Sequence, residues 1–162
     1  MAATITVSVQ TGASTGSATD GVAGIDLESA DNATNTLANR QANPITVGTN
    51  SYEKWVRLKV ATAPANYVVN FKIWGDGAVD TSTTLRFTAA YVTYQTGTTA
   101  TSTIATTTFV NFTSSNKATW DSATYTATGS YTKYVVFQLV VDSTAGPGNW
   151  TQETISYSYD EA

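Results

Sequence analysis

The chain contains no cysteine and no histidine. The first absence excludes disulfides, thiolate metal sites and a cysteine nucleophile. The second removes the usual general base at neutral pH, the commonest metal ligand, and the Ser-His and Cys-His pairs. Charge is scarce as well. Asp, Glu, Lys and Arg make up 12% of the 162 residues, about half of the roughly 25% typical of soluble domains. With a net charge of −4 there is no basic stripe of the kind that neutralises phosphates, which argues against nucleic acid as a partner. No apolar run approaches the ~18 residues of a membrane span, so no membrane partner is expected. The stretch from Met1 to Gln10 lacks a basic start and a continuous apolar run, the expectation being a protein made without the standard secretory route.

What remains for chemistry is carboxylates, tyrosines and the lysines Lys54, Lys59, Lys72, Lys117 and Lys133. No spacing singles out a carboxylate pair for glycoside hydrolysis. Asp76 and Asp80, around Gly77, offer two oxygen ligands where calcium takes six to eight, so a turn is the better reading. Asp20, Asp26, Glu28 and Asp31 form a looser acidic set, suited to solvating a segment as much as to holding a cation. Asn32, Asn111 and Asn149 head glycosylation-type triplets, which abundant threonine produces by chance. The expectation is a non-enzymatic protein with no catalytic residues, no metal and no cofactor.

Threonine, roughly one residue in five, supplies the polarity instead, and its β-branched side chain suits a pleated surface. Thr4 to Val9 alternates as a strand with Ile5, Val7 and Val9 on one face. A Gly/Ser/Thr-rich stretch and a segment with scattered apolar residues follow, with Leu37–Arg40 as a candidate helical turn. Residues 1–50 are therefore expected to be an N-terminal strand and an extended, flexible arm. Residues 51–162 are expected to be a β-sandwich body.

In the body, Tyr52–Ala61 places Val56, Leu58 and Val60 on one face, with Trp55, Arg57 and Lys59 on the other. Asn66–Trp74 places Tyr67, Val69, Phe71 and Ile73 inward, and Pro64 between the two segments suggests a hairpin. Thr84–Tyr94, Thr107–Phe112, Ala118–Thr128 and Thr151–Tyr159 read as further strands. Tyr131–Asp142 is apolar on both faces, so it is expected to be central and covered on both sides. Turn chemistry joins these segments without helical crossovers. This is the pattern of an all-β antiparallel sandwich, immunoglobulin-like or jelly-roll.

The aromatics carry the functional promise. Four tryptophans and nine tyrosines sit in a charge-poor chain. Trp55 and Trp74 lie opposite the more apolar faces of their strands, and Trp150 sits in a turn region. Trp55, Trp74 and Trp150 are the candidate interface residues, since interfaces favour Trp and Tyr. A covered second core face and a sugar-stacking platform are the alternatives.

The run from Asn43-Pro44-Ile45 to Glu53-Lys54-Trp55, continuing through Val56–Val60 and Asn70–Gly77, resembles a segment of tailed-phage virion proteins. Gly146–Glu153 and Ile155–Tyr159 have the same character, so the likeness spans roughly residues 40–160. It resembles capsid decoration, or cement, proteins, whose motifs are structural rather than chemical. The resemblance implies a location on the capsid exterior of a virion, and the major capsid protein and neighbouring copies of the chain as partners. A carbohydrate- or receptor-binding module of a fibre or tail is the second expectation.

Overall fold

The computed structural model describes residues 2–13, 15–77, 80–146 and 152–162. Its strands are numbered along the chain and form two sheets, every pairing antiparallel. The larger sheet runs, in spatial order, β2 (Ser17–Asp20), β1 (Thr4–Thr11), β3 (Lys54–Thr62), β8 (Tyr134–Val141), β5 (Thr83–Tyr91) and β6 (Thr107–Thr108). The smaller runs β7 (Ala118–Asp121), β4 (Val68–Gly75) and β9 (Ile155–Glu161). The all-β sandwich expected from the alternation is what forms.

Between the sheets lies one apolar core. Val9, Val56, Leu58, Phe87 and Phe137 from the large sheet meet Val68, Phe71, Ile73 and Trp120 from the small one. Phe109, just past β6 in a single 3-10 turn (Phe109–Asn111), is fully buried against Phe87 and Phe137. That turn ends the strand expected over 107–112 after two residues.

Strands sit about 4.8 Å apart, so three cannot cover six. Residues 22–33 fill part of the difference: Val22, Ile25, Leu27 and Ala33 pack on the core. Tyr52 N–H donates to Glu28 O at 2.8 Å, and Ser29 N–H to Asn43 O at 3.0 Å. The first 50 residues are thus largely built into the body. β1 lies inside the large sheet, paired with both β2 and β3, and its Ile5, Val7 and Val9 point to the core as expected. The helical turn is α1 (Leu37–Ala42), capped by Thr36 Oγ1, which accepts from Asn39 N–H at 3.1 Å.

Two expectations fail for identifiable reasons. β3 and β4 do not form a hairpin, because β3 pairs with β1 and β8 while β4 pairs with β7 and β9 in the other sheet. The Pro64 turn is a corner between sheets. In β4 the inward phase also slips. Asn70 takes a left-handed φ of +57° at a register shift between Val69 and Lys72. The extra residue turns Val68, Phe71 and Ile73 into the core together, while Tyr67 is left exposed.

β8 is central, between β3 and β5, and every residue from Tyr134 to Gln138 is buried. Its outer face is covered by the 95–105 loop. Gln138 fastens that loop, donating to Thr98 O at 3.3 Å and Ala100 O at 2.8 Å, while its Oε1 accepts from Ser102 N–H at 2.9 Å. Glu53 adds a second tie by accepting from Ser102 Oγ at 2.5 Å.

Candidate functional site

Alternation along β3 sends Trp55, Arg57 and Lys59 to the outer face of the large sheet, where an aromatic ridge forms. Trp55 is the centre of it. Tyr91, Tyr94 and Tyr134 meet its indole edge-on at 5.4, 5.3 and 5.6 Å between centroids. Such contacts contribute about 0.5–1.5 kcal/mol each beyond area burial. The Arg57 guanidinium lies 3.8 Å over the Tyr131 ring and 5.1 Å from that of Tyr134. Lys59 Nζ reaches Asp20 Oδ2 at 2.6 Å, and Tyr131 hydroxyl donates to the same oxygen at 3.1 Å.

The ridge therefore runs from Tyr91 and Tyr94 through Tyr134 and Arg57 to Tyr131 and Lys59. Burial raises the hydroxyl of Tyr94 to about 12, with the Asp31 carboxylate adding to it. Burial likewise raises Tyr134, with Arg57 opposing. Both stay neutral across the physiological range, so both carry a hydroxyl proton. Tyr94 spends its own on Gly12 O at 2.6 Å. Partial burial of Asp20 favours its neutral form, but bonds from Lys59 and Tyr131 outweigh this and hold the carboxyl below its usual range.

The three candidate tryptophans separate. Trp55 is fully buried within its own chain, so it offers no surface to a partner. The alternation assigned its face correctly, but the exposure failed because three tyrosines, distant in sequence, close over it. Trp74 is half-buried on the small sheet, with Lys117 Nζ 4.1 Å over its ring. Trp150 lies outside the described residues. Trp120 belongs to the core, its indole N–H donating to Lys133 O at 2.9 Å.

The acidic residues turn out to be fasteners. Asp80 accepts from Ser82 N–H at 3.0 Å and Ser82 Oγ at 2.8 Å, the bonding of an Asx turn. Asp76 accepts from Thr154 N–H at 3.2 Å. No group of three or more potential ligands for a metal ion occurs among the described residues. Asp26 accepts from Arg40 at 2.9 Å, and Asp31 from Gly12 N–H at 2.7 Å.

Glu28 is the exception. Its side chain and that of Lys54 are each only 1% exposed, with Nζ 4.0 Å from Oε1. Neither Glu28 oxygen receives a hydrogen bond of full geometry, although the Asn32 carboxamide lies close enough to favour the ionised form. Lys54 instead donates to Ala30 O at 3.3 Å and to Asn32 O. Burial raises the Glu28 carboxyl, with Lys54 opposing, and burial lowers the Lys54 ammonium, with Glu28 opposing. Both shifts run in the direction of the uncharged forms. Sequence reasoning missed Lys54, yet the alternation that sends Val56 and Leu58 inward sends Lys54 inward too.

Beside this pair the two sheets gape. A cavity of about 920 Å³ has apolar walls from Val7, Ile73, Leu85 and Phe137, and Asp26, Glu28 and Arg40 among its polar lining. No protein-family model, no curated protein and no solved structure matches the chain.

Proposed function

We propose that this chain is a non-enzymatic structural protein that attaches to the outer surface of a tailed-phage head shell and stabilises it. The observation that carries this reading is the ridge of half-buried Tyr91, Tyr94, Arg57 and Tyr131 on the outer face of the large sheet, braced from beneath by buried Tyr134 and Trp55. Tyr and Arg are the residues that dominate binding energy at protein interfaces. A rigid sheet presents them at little entropic cost, because each is already held by its neighbours. Copies placed side by side on a lattice gain strength from multivalency rather than from any single tight contact. The resemblance of residues 40–160 to capsid decoration proteins supports a head shell as that surface.

A sugar-stacking module has less support. Trp55 has no free ring face, and Trp74 carries Lys117 over its ring. The test is co-sedimentation with shells that lack the protein, using the double substitution Arg57→Glu and Tyr131→Ala. Binding should weaken about tenfold or more, a loss of at least ~1.4 kcal/mol, while the circular dichroism spectrum stays unchanged. Undiminished binding by the folded variant would remove this face from the account.

A further inference from the structure

Burying a lysine and a glutamate completely is costly unless both are fully hydrogen-bonded, and Glu28 is not. The residues around the pair give the arrangement a chemical use. Lys54 Nζ is a primary amine shielded from water, and it donates to the main-chain carbonyl of Asn32. The Asn32 carboxamide lies beside the Glu28 carboxylate, which in turn stands 4.0 Å from Nζ. A nucleophile, an amide electrophile and a proton carrier are thus collected at one point. The nearest other acid in sequence, Asp31, is engaged with Gly12 N–H.

We propose that Lys54 and Asn32 join in an intramolecular isopeptide bond, with Glu28 carrying the proton. Transfer of one proton from the Lys54 ammonium to Glu28 leaves a neutral amine and a neutral acid, the form a water-poor site favours. The amine lone pair attacks Cγ of Asn32, forming the Nζ–Cγ bond. The Glu28 acid protonates Nδ2, the Cγ–Nδ2 bond breaks, and ammonia leaves. Glu28 recovers the proton shed by Nζ, and the new amide is neutral. Nothing is oxidised or reduced, and no co-reactant is needed. Holding the amine on the main chain of the residue that carries the amide, with the carboxylate 4.0 Å away, replaces an encounter in solution, which is how positioning lowers such barriers. The cavity lined by Glu28 gives the ammonia a way out. The bond would weld the segment between β2 and α1 to the start of β3, closing covalently one side of the sandwich.

Intact-mass spectrometry of the purified full-length chain is the test. The proposal requires a mass about 17 Da below that of the sequence, the loss of one ammonia. Proteolysis should then yield a branched peptide joining Asn32 to Lys54. Glu28→Gln, Asn32→Ala and Lys54→Met should each restore the full mass of their own sequence. A succinimide at Asn32 gives the same loss without a branch, and it would persist in Lys54→Met; that outcome overturns the proposal. So does a folded wild-type chain at full mass, or a link at any other residue. The branched peptide is sought in the wild-type chain, so the test decides even where a variant misfolds.

Discussion

Asp121 shows at the scale of one residue how this charge-poor chain uses the charges it has. Its carboxylate is 1% exposed and accepts from Lys133 N–H at 2.8 Å, Tyr125 hydroxyl at 2.7 Å and Ala123 N–H at 2.9 Å. Burial alone would raise its pKa, but these bonds and the Lys133 ammonium at 3.7 Å hold it below the ordinary 3.8. A depressed carboxylate contributes stability that is present above its unfolded pKa and lost as pH falls through the folded one. Asp121→Asn should therefore cost roughly 2 kcal/mol at neutral pH. The gap between variant and wild type should narrow as the pH drops below ~3.8, where the wild-type carboxyl also gains its proton. Urea midpoints of both proteins across that range check it. A gap that is constant with pH would mean that shape, not charge, is what Asp121 supplies. The acids at Asp20, Asp26 and Glu28 were visible in the sequence as acids. Their partners Lys59, Arg40 and Lys54 come from 14 to 39 residues away, a separation no local pattern encodes.

Among the elements, legibility followed how completely a strand's own residues dictate its surroundings. β8 was readable because apolar residues on both faces leave only a central position for it. β1 was readable through strict alternation. β4 was misread from one residue: the bulge at Asn70 inverts the phase of half the strand, and nothing in NYVVNFKIW marks it beyond an asparagine that tolerates φ above zero. The hairpin between β3 and β4 was misread because a proline turn of that length serves equally for a hairpin and for a corner. The bulge gives a direct prediction. Asn70→Val should destabilise by about 1–2 kcal/mol, because a β-branched side chain clashes in the left-handed region. Asn70→Gly should be nearly neutral, losing only an exposed bond to Asp160 at 2.8 Å. Thermal melting of the two variants decides; equal losses would show that the side-chain bond, not the backbone conformation, matters at this position.

At the scale of the whole molecule, the sandwich is a frame of unequal sheets that solves two covering problems with loops. Residues 22–33 cover inner apolar surface that the three-stranded sheet cannot reach. The 95–105 loop covers the outer face of β8 and leaves the tyrosine ridge beside it. Residues 1–50, expected as a strand followed by an extended arm, carry the strand β1, and the segment after it lies against the body. The segment looks underfilled with apolar residues on its own, but Val22, Ile25, Leu27 and Ala33 suffice to pack it on the core. With β1 inside the sheet, the proposed attachment is assigned to the ridge rather than to a free N-terminal tail. The central claim is that many copies use this ridge to coat a shell. Quantitative mass spectrometry of gradient-purified particles, comparing this protein with the major capsid protein, tests it most directly. A simple whole-number ratio between the two is the predicted result. A few copies per particle, or none, would contradict it.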